Sequence, residues 1–195
     1  EVTNNPKIIA PINDNGHVTY LPLNDTEALK AELAKGDVCA VIIEGIQGVG
    51  GIQLPTTEFM KAIRQACDET NTVMILDEIQ CGMRRTGSMF AYQSYGIEPD
   101  IMTSAKALGC GVPVGAFVLG EKAAAASLEP GDHGTTYGGN PFVCAAVSKV
   151  FDIFEKDHIL EHVRELTPYL EEKLDALVDK YEIISRRRGK GFMQG

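Results

Sequence analysis

Val38-Cys39-Ala40-Val41-Ile42-Ile43-Glu44-Gly45 is a six-residue apolar run, rich in β-branched side chains, that ends abruptly in an acid and a glycine. It is too short for a helix and apolar on every position, which is the pattern of a strand buried on both faces. Downstream, Thr56 or Thr57 is placed to cap a helix, and Phe59, Ile63, Ala66 and Cys67 recur at helical spacing to about Asp68. A second run, Val73-Met74-Ile75-Leu76, then ends in Asp77-Glu78. Strand, helix and strand in that order predict a parallel α/β sheet with helices packed on it.

The same alternation continues along the chain. A short strand is expected around Asp100 to Thr103, followed by a glycine-rich loop and an apolar run, Val112 to Leu119, that returns to the sheet. Beyond Asn140-Pro141 the character changes, with one helix expected over Phe142 to Phe154 and a second over Ile159 to Tyr181, its outer face charged. No internal repeat or low-complexity segment interrupts this order.

Composition narrows the function classes. The 195 residues, 44% of them hydrophobic, are enough to bury a core. Twenty-seven acidic against 18 basic residues give a net charge of −9, spread along the chain with no basic patch to track a nucleic-acid backbone. No apolar run approaches the roughly 20 residues of a membrane span, and Glu1-Val2-Thr3-Asn4-Asn5-Pro6 has no signal-peptide character, so a cytoplasmic location is the expectation. Five scattered cysteines without a CxxC pair read as reduced thiols and give no metal site; Cys39 and Cys67, in apolar settings, read as core residues. Arg186-Arg187-Arg188 before a turn reads as a solvated run.

In a parallel α/β sheet, ligands gather outside the carboxyl ends of the strands, where Glu44, Asp77 and the segment leading to Lys106 fall. Asp77 directly follows an apolar strand, so its carboxylate is expected to be partly buried and to need a cation or N–H donors. A protonated pyridine nitrogen is one such cation; a lysine, an arginine or a helix start is another. Lys106, in Thr103-Ser104-Ala105-Lys106-Ala107-Leu108-Gly109-Cys110-Gly111, has no acidic neighbour in sequence. In a partly dry pocket such an amine serves as nucleophile and proton shuttle, and outside one it is an ordinary surface lysine. His133-Gly134-Thr135-Thr136-Tyr137-Gly138-Gly139-Asn140-Pro141 offers two hydroxyls and pliant backbone ahead of a helix, which suits a phosphate or simply a helix start.

Taken together, these segments resemble the class III aminotransferases, of pyridoxal-phosphate fold type I. The resemblance is carried by Asn24-Asp25-Thr26-Glu27-Ala28-Leu29, Glu44-Gly45-Ile46-Gln47-Gly48, Leu76-Asp77-Glu78-Ile79-Gln80-Cys81-Gly82, Arg85-Thr86-Gly87, Pro99-Asp100 through Lys106, His133 to Pro141, and Gly189-Lys190-Gly191. Several motifs in family order are far more specific than any one of them.

The resemblance implies pyridoxal 5'-phosphate as cofactor and transfer of an amino group from a small-molecule donor to 2-oxoglutarate. By it, Lys106 forms the Schiff base and relays the proton, Asp77 keeps the ring nitrogen protonated, and Gln80 meets the phenolic oxygen. Thr136, with Thr135 beside it, reaches the cofactor phosphate of a neighbouring subunit, which implies a homodimer with shared sites. Glu44 stands near the site with a substrate or structural role. The resemblance also implies that residues 1–154 are part of the large cofactor-binding domain and 155–195 a connecting helix and the start of the small domain. Other elements of the family's site, a phosphate-cradling loop, a stacking aromatic and an arginine for the substrate carboxylate, then fall outside these 195 residues. Two positions depart from the pattern: Val49 replaces a glutamate of the glycine-rich loop, and Arg84 replaces a glycine where a positive φ is expected.

Overall fold

The computed structural model describes residues 7–14, 16–125 and 128–195. The Glu1 to Pro6 segment lies outside the described residues. The first two apolar runs form β1 (Ala40–Glu44) and β2 (Val73–Asp77), parallel and in register from Ala40 opposite Val73 to Glu44 opposite Asp77. β3 (Ile101–Ser104) adds to the far side of β2, again parallel, with Asp77 opposite Thr103. β4 (Ala116–Leu119) closes the sheet in the order β1-β2-β3-β4.

β4 runs antiparallel to β3, so the sheet is mixed. Of the Val112 to Leu119 run, only the last four residues pair. The loop from Lys106 to Gly115 is short and contains no full helix. A parallel return needs a crossover of a dozen or more residues, so this connection reverses the chain direction.

One face of the sheet is covered by α1 (Thr26–Leu33) and α2 (Thr57–Glu69). Asp25 caps α1 by accepting the Ala28 N–H at 2.9 Å, and Thr56 caps α2 by accepting that of Phe59 at 3.1 Å. Leu29, Leu33, Met60 and Ile63 from the helices meet Met74 and Leu76 from β2, with Val41 and Ile43 at the margin. Each such buried side chain contributes about 1.5–3 kcal/mol of transfer free energy. Period-2 alternation puts Ile42, Ile75 and Ile101 on the other face, and Ile42 is 47% exposed there. Among the described residues, helices thus cover one face of the sheet.

After a short helix α3 (Glu121–Ala125), the chain forms α4 (Pro141–Lys156) and α5 (Ile159–Lys180), with Pro168 inside α5. Asn140 caps α4 through the Val143 N–H, at 3.1 Å. Phe154 and Val150 of α4 pack with Met83 and Leu108, fixing α4 against the loops that follow β2 and β3. A terminal hairpin, β5 (Gly189–Lys190) and β6 (Met193–Gln194), returns to this region.

Two expectations need correction. Arg187 and Arg188 are not solvated: Arg187 bonds Asp175 and Glu171 of α5 together with Gln194, and Arg188 donates to Oε1 of Gln53 at 3.0 Å. Their fixed, planar donor sets join the terminal hairpin to α5 and to the loop after β1. Cys39 is exposed, whereas Cys67 is fully buried, and so is Cys81, which had no core reading from sequence. Cys39 precedes the first paired residue of β1 at the rim of the sheet, so its apolar neighbours in sequence do not enclose it.

Candidate active site at the carboxyl ends of the strands

The register that aligns Glu44 with Asp77, and Asp77 with Thr103, brings three polar side chains to one edge and one face of the sheet. After Ser104 the chain turns sharply. Ala105 is extended, and Lys106 adopts φ 48°, a left-handed conformation that a long side chain rarely occupies. Such strain persists only where the surroundings impose it. Here Gly109 is packed so closely on the Val112 carbonyl and the Val114 side chain that an added Cβ would collide with both, which holds the Lys106 turn in place.

Lys106 Nζ donates to Gln80 Oε1 at 3.2 Å. The lysine is exposed, so the partly dry setting expected for it is not formed by the described residues of this chain. It borders a cavity of about 300 Å³ whose walls include Gln80, Arg85, Ile52, Phe192 and Gln194. No carboxylate lines this cavity, and Lys106 makes no ion pair among the described residues.

Asp77 is half-buried, as its place after an apolar strand required. One carboxylate oxygen, Oδ1, accepts the Ile79 N–H at 2.9 Å, and its Oδ2 has no protein partner among the described residues. On the neighbouring strand, Thr103 Oγ1 and Ser104 Oγ are buried without hydrogen-bond partners. Buried polar atoms left unmatched cost free energy, so an orphaned hydroxyl beside a half-satisfied carboxylate marks a place where a polar ligand completes the bonding.

Glu44 is committed to the backbone: its Oε2 accepts the Gly48 N–H at 3.1 Å and holds the glycine-rich loop. A side chain at Gly48 would collide with the Gln80 amide, so that loop lies directly on the residue that receives Lys106. Val49, at the loop's tip, is 98% exposed.

Thr135 and Thr136 do not join the cavity. They lie on an exposed loop with Tyr137, and His133 in the same loop packs edge-on to Phe117 of β4 with ring centroids 5.3 Å apart.

Three residues near the site had no role from sequence. Glu78 is fully buried and accepts the N–H groups of Ala91 and Tyr92, each at 2.8 Å; burial pushes its carboxyl above the usual range. Its sequence signals were adjacency to Asp77 and a place in the quoted Leu76 to Gly82 motif. Arg85 lines the cavity and sits in the quoted Arg-Thr-Gly motif. Arg84 does occupy the expected positive-φ position, at 69°, directly after Met83 at 54°. Its guanidinium donates to the Phe154 carbonyl at 2.6 Å and lies over the Phe154 ring, so the helical C-terminus of α4 offsets the strain a glycine would have avoided.

The sheet thus places an acid, an amide and a lysine in a strained turn at the carboxyl ends of neighbouring strands. Residues 3–195 match the family of class-III aminotransferases, and the chain belongs to that family. It is 49% identical over 176 residues to an acetylornithine aminotransferase of Methanocaldococcus jannaschii, covering 90% of this chain and 44% of the relative. The chain thus spans about half the length of the curated relatives it matches. Among solved structures, an N-acetylornithine aminotransferase from Stenotrophomonas maltophilia superposes with a TM-score of 0.79 at 35% identity, over 89% of this chain and 44% of that one. The ornithine δ-aminotransferase of Plasmodium falciparum superposes at 0.81 with 31% identity, over 88% and 45%.

Proposed function

We propose that this chain carries the lysine-bearing part of an aminotransferase that moves the δ-amino group of N-acetylornithine to 2-oxoglutarate, a step of arginine biosynthesis, with pyridoxal 5'-phosphate as cofactor. The carrying observation is the Lys106–Gln80 contact in register with the half-satisfied Asp77. The identity to acetylornithine aminotransferases supports the donor. Ornithine is the second reading, favoured by the superposition on ornithine aminotransferases at lower identity. Succinylornithine and 4-aminobutyrate would use the same lysine, aspartate and glutamine.

The residues fit the cofactor. Pyridoxal phosphate supplies an electron sink that lowers the cost of removing a proton next to an amine. Lys106, free of any carboxylate partner among the described residues, would present its amine to hold the cofactor and would carry the proton. Asp77, one oxygen fixed by Ile79, would use its open Oδ2 to keep the ring nitrogen protonated. Gln80, buttressed by Gly48, orients the lysine and would serve the phenolic oxygen.

In the same reading Thr135 and Thr136 serve the phosphate at a second subunit's site. Their exposure, away from the Lys106 cavity, supports a homodimer with shared sites. The proposed domain division keeps residues 1–154 in the large domain and 155–195 in a connecting helix and the start of a small one. No helix among the described residues is long and apolar enough to cross a membrane, and a cytoplasmic location belongs to this proposal.

The test is to load the purified protein with pyridoxal phosphate, record its near-visible absorbance, fix the adduct with borohydride and map it by mass spectrometry. An adduct on Lys106 that disappears in Lys106→Ala supports the reading, and an adduct elsewhere, or none, refutes it. Rates with N-acetylornithine and with ornithine then decide the donor.

A further inference from the structure

We infer that Glu78 is the positioning residue of this site, setting Asp77 and Gln80 relative to Lys106 without facing the cavity itself. The inference rests on the proposed reading of Asp77 and Gln80 as cofactor contacts. Three tethers converge on Glu78. Its own N–H donates to the Thr103 carbonyl at 3.0 Å, extending the β2–β3 ladder one residue past Asp77 and tying the turn to the strand that leads into Lys106. Its carbonyl accepts the Gly82 N–H at 3.0 Å, which closes the turn bearing Gln80. Its carboxylate takes the Ala91 and Tyr92 N–H groups on separate oxygens, at 2.8 Å each, anchoring the turn to the short helix Ala91–Tyr95.

Cys81 completes the arrangement, its Sγ lying 3.4 Å from both the Asp77 carbonyl and Glu78 Oε2. Every polar contact to the carboxylate is a donor, and Glu78 has no ion pair among the described residues. Both terminal atoms must therefore accept; a carboxyl does so ionised, or protonated with its O–H turned aside, whereas a glutamine presents an N–H₂ toward one of these backbone N–H groups and must turn away. Space for such a movement is lacking. Glu78 is fully buried, and an added Cβ at Gly82 would approach its Cβ to 3.2 Å, so the turn is tightly packed on that side. The displacement therefore falls on the residues either side of Glu78, which are the two proposed cofactor contacts.

The experiment compares the wild type with Glu78→Gln and Cys81→Ala as pyridoxal-phosphate-loaded proteins, measuring the cofactor dissociation constant, the pH midpoint of the near-visible band and the melting temperature of the cofactor-free form. Glu78→Gln is expected to raise the dissociation constant about tenfold and to shift the band's midpoint, and Cys81→Ala, which removes one weak donor and a small buried volume, to raise it about threefold with a modest fall in melting temperature. A Glu78→Gln protein that melts earlier but keeps the wild-type dissociation constant and midpoint shows a purely structural carboxylate and overturns the inference. If Glu78→Gln does not fold, a wild-type dissociation constant in Cys81→Ala overturns it. A wild type that forms no Lys106 adduct instead refutes the underlying reading of the site, and the inference with it.

Discussion

Lys106 Nζ lies 3.2 Å from Gln80 Oε1, joining the strained turn after β3 to the turn after β2 across one step of the parallel ladder. A neutral amide oxygen gives the amine direction without neutralising its charge. Gln80→Ala should therefore leave the fold intact, because the side chain lines a cavity and fills no core. It should also weaken pyridoxal phosphate binding by about three- to tenfold, the usual net cost of one hydrogen bond. An absorbance titration measures this, and unchanged affinity would remove Gln80 from the site.

The sheet's legibility in the sequence had a simple physical basis. β1, α2 and β2 were readable because each is bounded by a glycine, threonine or acid and keeps an uninterrupted apolar run or a helical apolar spacing; the cap of α2 was narrowed to Thr56 or Thr57, and Thr56 supplies it. The direction of β4 was not readable, since an apolar run carries no sign of which way it pairs. Cys39 was misjudged because it lies at the rim of the sheet, and Arg187 and Arg188 because their partners sit on other elements: Asp175 and Glu171 on α5, and Gln53, which is 135 residues from Arg188. Asp77 and Lys106 were legible as candidates by strand-end position. That Glu78, the more deeply buried acid, turns inward while Asp77 turns to the site follows from period-2 alternation at β2's end, a distinction that two adjacent acids in sequence do not reveal.

Burial sorts the thiols into two groups. Cys67 is pushed up to about 11 and Cys81 to about 12, in both cases chiefly by desolvation, so neither forms thiolate near neutrality. Cys39, Cys110 and Cys144 are exposed. At pH 8 an aromatic disulfide reagent should titrate these three in the native protein and reach all five only after denaturation. Native labelling of Cys81 would show that the turn around Glu78 opens.

Glycine positions with similar backbone angles should differ sharply in tolerance. Gly36 and Gly191 have φ of 76° and 58°, yet a Cβ at Gly36 meets nothing, whereas at Gly191 it would lie 2.7 Å from the Thr86 backbone. Gly36→Ala should cost about 1 kcal/mol, from backbone strain alone. Gly191→Ala adds a steric collision beneath the Phe192 N–H to Arg85 carbonyl bond, at 2.8 Å, and should cost about 2–4 kcal/mol. Urea midpoints for the two variants give the comparison, and equal losses would mean that the terminal hairpin is not held against Arg85.

Glu78 gives stability an acid-side slope. Desolvation, the largest influence, raises its carboxyl above the ordinary 4.5, with the nearby Asp77 charge adding to it and the Ala91, Tyr92 and Cys81 donors opposing it. A folded-state value above the unfolded one means that the native state binds this proton more tightly. The contribution is then fully present below pH 4.5 and is lost as pH rises through the folded value. Glu78→Gln cannot titrate, so it removes this term while leaving the other carboxylates in place. On acidification from neutrality to pH 4.5, the wild type should gain stability relative to Glu78→Gln, with no further relative change below that. Urea unfolding of both proteins at matched pH values measures the difference. A wild type that instead loses ground to Glu78→Gln on acidification would mean that the donors around Glu78 outweigh its burial and hold its carboxyl below the unfolded value.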